Sequence, residues 1–287
     1  MSSAAVVLVH YGDPLVTKRC LESLAEQEFL PHSVYIADHG PGTNLLEALA
    51  DAHPCLRILS GENLGFGPGC NRAAAAAFQD GAQWVWFLNN DATLDGSVLG
   101  ELVGFAQRYP EVGLWGTLQL DGAREIGADH LPRWFPELPC RPAAEEPVLP
   151  PGLRSLGPME TLSGASILIT RSAWERLGPW PEWCFLYWED VAWGLKAYAA
   201  GIPAVMTNLA IQHNRCTTTG RHSALATYYG VRNELLLHQE LWPELHRARF
   251  RHGLHILQKR FFQGNWGMLA PALRAIRDAR RNLRGKR

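Results

Sequence analysis

A short apolar run that ends abruptly in three polar residues limits what this chain can fold into. Residues 84–88 are apolar or aromatic, Gly81 lies before them, and Asn89, Asn90 and Asp91 follow at once. Such a run is typical of a buried strand in a parallel sheet. Ligands bind beyond the carboxyl ends of such strands, and carboxylate and carboxamide oxygens suit Mg²⁺ or Mn²⁺. The alternative is a turn that caps the next helix, because Asn and Asp are favoured there.

The residues before this run alternate between strand and helix patterns. Three short apolar runs share the strand pattern: residues 4–9, 33–37 and 56–59. Asp13 and Pro14 form a favoured helix start after the first of them, and residues 45–52 have helical character. This alternation predicts an α/β fold with a Rossmann-like, mostly parallel sheet and helices on both faces.

A glycine-rich loop follows the third predicted strand. It begins at Asn63, and the alanine run at 73–77 behind it is a strong helix former. Glycines before a helix N-terminus let the backbone approach an anion closely. The loop matches a dinucleotide fingerprint poorly, because that motif follows a first strand and this loop carries Pro68.

An irregular segment interrupts the second half of the chain. A helix over 98–109 and a strand over 112–115 precede residues 121–158, which contain eight prolines. A loop of this length inside a compact domain is usually functional or disordered. Residues 162–170 then have the pattern of another strand.

Two adjacent acids begin the next helix. Glu189 and Asp190 follow an aromatic stretch and precede a helical pattern, where the helix dipole favours their ionised forms. Further along, residues 204–207 and 209–212 read as short strands that end at His213. The sequence therefore predicts a second polar cluster at strand and helix ends.

Positive charge collects near the C-terminus. The 27 Lys and Arg residues nearly balance the 28 Asp and Glu residues, so the net charge of −1 gives no support to nucleic-acid binding. From residue 245 onwards, however, the sequence contains twelve Lys and Arg residues and one acidic residue, Asp278. We therefore divide the chain into residues 1–240 and a basic helical tail at 241–287.

The last helical pattern in this tail is amphipathic. Leu269, Leu273 and Ile276 fall on one side, and four arginines fall on another: Arg274, Arg277, Arg281 and Arg284. This pattern predicts peripheral contact with an anionic membrane. A basic face that is solvated while the helix packs on its own domain is the alternative.

The cysteines and the hydropathy indicate a cytoplasmic protein. Six scattered cysteines include no C-x-x-C pair, which argues against a zinc site or a disulfide framework and suits a reducing cytosol. No apolar run approaches the roughly 20 residues needed to span a bilayer. Residues 4–9 are too short for a signal peptide and lack its basic flank.

In this order the motifs resemble those of the family 2 nucleotide-sugar glycosyltransferases, and most of all the bacterial rhamnosyltransferase and galactofuranosyltransferase branch. The motifs lie at residues 6–11, 37–40, 62–67, 87–91, 162–165 and 185–190, with a later His213. The resemblance covers residues 4–240. It implies a GT-A fold and inverting transfer of rhamnose, a similar deoxyhexose or galactofuranose in cell-surface polysaccharide synthesis. The donor would be a dTDP- or UDP-sugar, and the acceptor a saccharide or lipid-linked hydroxyl.

The resemblance also gives individual residues roles. It places six of them at the nucleotide-sugar donor: Tyr11, Asp38, Asn63, Asn71, Asn89 and Asn90. Asp91 matches the residue that binds the divalent metal, Mg²⁺ or Mn²⁺, on the donor diphosphate, and His213 matches a histidine that completes this site in some relatives. Asn89 stands where relatives often have Asp, which removes one negative ligand. Judged alone, Asp38 is a turn former and His213 a structural histidine.

The acidic pair matches the motif that supplies the catalytic base. Inversion needs a carboxylate that takes a proton from the acceptor hydroxyl, opposite the leaving diphosphate. Asp190 matches the base of most of the family, whereas Trp188 before the pair keeps Glu189 as the rival. Two acids that cap a helix are the alternative. Arg215 and Arg221 are candidates for a diphosphate contact.

Two other functions share some of these features. A sugar nucleotidyltransferase would also bind a nucleotide and a metal on an α/β sheet. It requires a glycine-rich basic loop after the first strand, where residues 10–13 read His-Tyr-Gly-Asp. A non-catalytic glycosyltransferase-like binding protein would not need to keep Asp91, Glu189, Asp190 and His213 together.

Overall fold

A ten-stranded mixed sheet with helices on both of its faces, a separate two-stranded sheet and a C-terminal helical segment make up the part of the chain that the structure describes. A computed structural model gives residues 3–40, 43–52, 55–136, 138, 147–213 and 223–287. The strands are β1 (Ala4–His10), β2 (Ser33–Asp38), β3 (Leu56–Ser60), β4 (Trp84–Leu88), β5 (Ala92–Thr93), β6 (Leu114–Asp121), β7 (Arg124–Ile126), β8 (Asp129–His130), β9 (Leu153–Ser155), β10 (Glu160–Thr161), β11 (Ser166–Thr170) and β12 (Ala204–His213). The helices are α1 (Pro14–Ala25), α2 (Thr43–Ala52), α3 (Phe66–Gln79), α4 (Val98–Arg108), α5 (Arg171–Leu177), α6 (Glu189–Ala199), α7 (Ala224–Leu241), α8 (His246–Phe262) and α9 (Leu269–Arg280).

The sheet has the strand order β3-β2-β1-β4-β11-β6-β12-β5, with β7 beside β6 and β9 beside β12. Strands β1 to β4 pair in parallel, as do β6 and β12, whereas β11 runs antiparallel between β4 and β6. Two antiparallel steps restore the original direction, so β4, β6 and β12 all point the same way. The carboxyl ends of β1, β2, β4, β6 and β12 therefore lie at one edge of the sheet.

Helices cover both faces of this sheet. Val6 and Leu8 of β1 lie in one core cluster with residues of α1, α2 and α4. Ala5 and Val7 lie in a second cluster with residues of α3, α5 and α6. Alternate side chains of a strand point to opposite faces, so the continuous apolar run of β1 is buried on both sides. The predicted α/β fold with a mostly parallel sheet is confirmed.

Several boundaries differ from the predicted ones because tertiary contacts set them. Helix α3 begins at Phe66, within the glycine-rich loop, since Pro68 sits in the first turn, where no backbone N–H donor is needed. The two short strands predicted before His213 are one strand, β12, with a register shift between Met206 and Ala210. The irregular segment contains the short strands β7, β8 and β9.

The C-terminal helices pack on α7 through small side chains. Ala275 and Ala279 of α9 are buried in a cluster with Tyr228, Tyr229 and Leu236 of α7. Leu273, on the predicted apolar side of the last helix, is 54% exposed. Alanines let two helices approach closely, so the alanine side of α9 packs on α7, and the membrane contact of the leucine side stays a prediction. In the ranges given above, no helix is long and apolar enough to cross a membrane.

Candidate active site

The carboxyl edge of the sheet brings together side chains that are far apart in the chain. Asp91 follows β4 directly, and His213 is the last residue of β12. Asp91 Oδ1 lies 3.2 Å from His213 Nε2, and Asn89 Nδ2 lies 3.1 Å from the same nitrogen. The Asp91 and His213 side chains are 11% and 8% exposed. Three residues with predicted donor or metal roles therefore form one polar cluster.

Gln119 on β6 supports this cluster and was not predicted. Its Oε1 lies 2.9 Å from His213 Nδ1. An amide oxygen only accepts hydrogen bonds, so Nδ1 carries a proton, and in the neutral ring Nε2 then accepts from Asn89 Nδ2 and has the lone pair that a metal would bind. Metal-binding histidines are oriented in this way by a second hydrogen bond. A glutamine within a strand gives no sequence signal of such a role.

The donor atoms of the cluster suit a divalent metal carried by a substrate diphosphate. Within the described ranges, no group of three or more His, Cys, Asp or Glu side chains could hold a metal ion by itself. Mg²⁺ and Mn²⁺, however, bind through one or two carboxylates together with substrate phosphates and water. One carboxylate, one imidazole and one carboxamide, from Asp91, His213 and Asn89, fit that requirement.

Asn90 points into the protein rather than toward this cluster. Its Nδ2 donates to Thr17 Oγ1 at 2.8 Å, and that hydroxyl lies 2.7 Å from His10 Nδ1. Burial lowers the pKa of His10, which keeps the ring neutral. This hydrogen bond uses one of the two N–H groups of the Asn90 amide, so Asn90 supports the loop, and its contact with the donor stays a prediction.

Asp38 satisfies only one of its carboxylate oxygens within the described part of the chain. Oδ1 accepts from Gly40 N at 2.9 Å, which is the turn expected of an aspartate at a strand end. Oδ2 is buried without a hydrogen-bond partner there. Such an oxygen costs stability unless a donor reaches it. Tyr11, beside it at the end of β1, is 49% exposed.

The two remaining asparagines hold loops together. Asn63 Oδ1 accepts from Gly65 N at 3.1 Å, and its backbone oxygen accepts from Lys286 Nζ at 3.1 Å. Asn71 accepts from Trp180 N at 2.7 Å and donates to Trp180 O and Glu182 Oε1, each at 3.0 Å. Both polar atoms of Asn71 are thus used inside the protein, and a donor contact through them would break these bonds.

The two acids at the start of α6 have different surroundings. Asp190 Oδ2 accepts from Gly164 N at 2.9 Å, and Oδ1 accepts from Val191 N at 2.8 Å. The neighbouring Ala165 O accepts from Asn89 N at 2.9 Å. Residues 164–165 therefore link the Asp190 carboxylate to the polar cluster, and hydrogen bonds from backbone N–H groups stabilise that carboxylate.

Glu189, by contrast, is buried. Its side chain lies within the fold, and Oε2 has no hydrogen-bond partner in the described ranges. Burial, with a smaller contribution from the charge of Asp190, raises the pKa of Glu189 to about 8. Such a carboxyl group is mostly protonated at neutral pH, which favours Asp190 over Glu189 as the proton acceptor. Arg215 and Arg221 lie outside the described residues.

Comparison with known proteins links this geometry to one family. The family model "Glycosyl transferase family 2" matches residues 5–143. An N-acetylglucosaminyl-diphospho-decaprenol L-rhamnosyltransferase from Mycobacterium tuberculosis (strain CDC 1551 / Oshkosh) is 31% identical over 243 residues, which cover 76% of this chain and 78% of the relative. A relative with the same name from strain ATCC 25618 / H37Rv matches equally well.

Solved glycosyltransferase structures share the fold at low identity. The mannosyltransferase PcManGT from Pyrobaculum calidifontis, in complex with GDP-Man and Mn²⁺, is 13% identical with a TM-score of 0.58, covering 96% of this chain and 86% of that one. S. aureus TarS 1-349 with UDP is 17% identical with a TM-score of 0.54, over 82% of this chain and 65% of that one. A longer S. aureus TarS structure is 16% identical with a TM-score of 0.52 and is matched by 82% of this chain. The match covers 39% of the longer TarS chain. These likenesses establish the GT-A fold.

Burial of Glu189 predicts how stability depends on pH. Its pKa is 4.5 in the unfolded chain and about 8 in the folded protein. Between these values the folded state binds a proton that the unfolded chain has released, so stability falls as pH rises, by at most about 1.4 kcal/mol per pH unit. Glu189→Gln should therefore gain stability over the wild type between about pH 5 and 8, as measured by urea denaturation. Glu175→Gln, at a side chain that is 64% exposed, should show no such trend.

Proposed function

The chain belongs to the family 2 glycosyl transferases, and from this premise we propose that it transfers rhamnose, or a similar deoxyhexose or galactofuranose, from a dTDP- or UDP-sugar to a lipid-linked or saccharide hydroxyl. One observation carries the proposal. The cluster of Asn89, Asp91 and His213 is joined through residues 164–165 to the carboxylate of Asp190. A diphosphate site and a proton acceptor thus lie at one sheet edge.

The relatives favour these substrates over others. The name of the M. tuberculosis relative describes transfer of L-rhamnose and an acceptor linked to a polyprenyl diphosphate. PcManGT binds GDP-Man and Mn²⁺, and TarS 1-349 binds UDP. We infer a nucleotide-sugar donor of the same kind for this chain. Within the donor site, the open oxygen of Asp38 suits an N–H of the base or a hydroxyl of the ribose.

The reaction that follows from this arrangement is a single displacement. The acceptor hydroxyl attacks the anomeric carbon, its proton passes to an oxygen of Asp190, and the bond from that carbon to the nucleoside diphosphate breaks on the opposite face. Asn89, Asp91 and His213 would hold a divalent metal, which when bound neutralises charge on the leaving diphosphate. The backbone amide of Gly164 holds the carboxylate of Asp190 in place.

A lipid-linked acceptor requires access to a membrane surface, and the C-terminal segment provides a suitable one. Phe250, Leu254 and Phe261 of α8 are 50%, 45% and 46% exposed, and their spacing places them on one side of the helix. Phe262, the last residue of α8, and Trp266, shortly after it, are 83% and 60% exposed, and the Trp266 ring lies 4.6 Å from that of Phe261. We call these five residues the aromatic stripe.

Helices α8 and α9 also carry exposed cations, of which Arg274 and Arg277 form ion pairs with Asp278: Arg247, Arg251, Lys259, Arg274 and Arg277. Aromatic rings favour the membrane interface, and each cation near an anionic surface contributes about 1 kcal/mol. We therefore propose peripheral attachment of a cytoplasmic enzyme to the inner face of the membrane. The attachment uses α8 and the turn behind it, rather than the Leu269–Leu273 side of α9 that the sequence pattern suggests.

A donor panel tests the activity itself. With dTDP- and UDP-sugars, a polyprenyl-diphosphate N-acetylglucosamine acceptor and Mn²⁺, we expect one product whose mass increases by one deoxyhexose or hexose unit. Asp91→Ala should abolish it, and should also abolish the joint thermal stabilisation of the protein by Mn²⁺ and the nucleoside diphosphate. Undiminished stabilisation of the variant would exclude Asp91 as a metal ligand. Absence of any product across the panel would refute the proposed transfer.

Paired variants decide which acid is the base. Asp190→Asn keeps the size of the side chain but loses the proton acceptor, so kcat for transfer should fall about 10³-fold or more with donor binding retained. Glu189→Gln should lose far less, because the wild-type group is already mostly protonated at pH 7. Slow donor hydrolysis serves as an internal control and should change less than transfer. Near-normal transfer by Asp190→Asn beside an inactive Glu189→Gln would reverse the roles.

Vesicle binding tests the aromatic stripe. Phe262→Ser combined with Trp266→Ser should reduce co-sedimentation with phosphatidylglycerol vesicles at least about tenfold, since a buried aromatic ring contributes about 1.5–3 kcal/mol. Leu273→Ser, at an exposed position on α9, is the matched control and should bind like the wild type. If Leu273→Ser loses as much vesicle binding as the double variant, α9 also contacts the membrane and the attachment does not depend on the aromatic stripe alone. No binding of the wild type at low salt would refute membrane attachment.

A further inference from the structure

The loop before the acidic pair has a strained backbone. Phe185, Tyr187 and Trp188 have φ angles of 66°, 67° and 74°, in the left-handed region that side chains with a Cβ rarely adopt. Three such residues within four positions, directly before Glu189, need interactions that hold them there. We call residues 183–188 the acid loop.

Asn233 on α7 provides most of these interactions. It is fully buried, and its Nδ2 lies 2.9, 2.9 and 2.8 Å from the backbone oxygens of Cys184, Leu186 and Tyr187, which share its two N–H groups. One side chain thus binds three carbonyl groups of the acid loop. Its Oδ1 accepts from Arg232 Nε at 2.9 Å, so the neighbouring residue fixes the orientation of the amide.

Arg232 extends this arrangement to the end of the chain. Its side chain is fully buried and lies 4.7 Å from the centre of the Tyr229 ring. One terminal nitrogen donates to Cys184 O at 2.8 Å and the other to Gly285 O at 2.7 Å. Gly285 N in turn donates to Trp183 O at 2.8 Å. The acid loop is therefore held between α7 and the C-terminal residues.

The same loop touches the donor side of the site. Phe66 N donates to Phe185 O at 2.9 Å, where α3 begins. A Cβ on Gly65 would lie 2.3 Å from that oxygen, so only glycine fits there. Lys286 Nζ donates to Asn63 O and lies 5.8 Å from the centre of the Phe185 ring. A shift of the acid loop would therefore move both the acids and the glycine-rich loop.

We propose that Arg232 and Asn233 are positioning residues that hold the acid loop so that Asp190 meets Gly164 in the geometry needed for transfer. The inference rests on the proposed function, because it assigns these residues to the same reaction. The hydrogen bonds of these residues go to each other, to the acid loop and to Gly285, so they act through the loop.

Asn233→Asp is the informative variant. Aspartate keeps the shape and the acceptor for Arg232 but cannot donate to the three carbonyls. Hydrogen exchange of residues 183–190 should become faster, and kcat for transfer should fall about 100-fold, as expected for a small misplacement of a reacting group. The KM for the donor should change less than about threefold. Should Asn233→Asp fail to fold, Arg232→Lys, which cannot bridge Cys184 and Gly285, is measured in the same way.

A matched control and a rescue separate positioning from loss of stability. Thr227→Val removes the hydrogen bond of 3.4 Å from Thr227 Oγ1 to Met268 Sδ; Thr227 lies on α7 like Asn233, and the variant keeps the hydrogen bonds of the acid loop, so exchange there and kcat should stay near wild type. Adding Tyr187→Gly to Asn233→Asp should recover about tenfold in kcat, because glycine adopts the left-handed region without a Cβ clash.

The outcomes are distinct. Unchanged exchange at residues 183–190 in Asn233→Asp overturns the proposal whatever the activity is. Faster exchange with unchanged kcat overturns the positioning role, and so does an equal loss of kcat in Thr227→Val. A wild-type protein without transfer activity refutes the proposed function, while the exchange result still decides whether Arg232 and Asn233 hold the loop.

Discussion

The site depends on the antiparallel strand β11 at the centre of the sheet. Its register pairs Ser166 with Leu88 of β4 and Ile167 with Gly116 of β6, and β12 then pairs with β6. This order places the end of β4 close to the end of β12, although Asn89 and His213 are 124 residues apart in the chain. A slip of one residue would turn every side chain of β11 to the other face. The polar cluster therefore exists only in this register.

Burial assigns different chemistry to two adjacent acids. Glu189 lies inside the fold, where desolvation favours the neutral carboxyl group, whereas Asp190 accepts hydrogen bonds from two backbone amides. The strained acid loop directs this difference, because its left-handed residues set the direction in which α6 begins. The acid loop, the start of α6 and Asp190 are therefore positioned together, by hydrogen bonds from Arg232 and Asn233 of α7 and by contacts with the C-terminal residues.

The two C-terminal helices differ in what they pack against: α9 packs on α7, whereas α8 leaves most of its surface exposed. The alanine side of α9 covers α7, so its leucines are not needed for the core, and Leu273 remains exposed. Helix α8 buries only Gly253 and leaves Phe250, Leu254 and Phe261 in solvent. A periodic pattern alone cannot show which of two apolar sides packs, since small alanines contribute little to hydrophobicity but allow close helix contact.

The sequence by itself determined the α/β alternation, the buried strand before Asn89, the acids at the start of α6 and the family, because these features follow from local periodicity and motif order. Only the tertiary structure decided that Asn71 and Asn90 support loops, that Gln119 orients His213, and that Arg232 and Asn233 hold the acid loop. The start of α3 at Phe66 also depended on a contact, with Phe185, more than 100 residues away. One physical reason explains why the sequence did not show these roles. Each role arises from a hydrogen bond between residues distant in sequence, and no local pattern records which distant partner a side chain will meet.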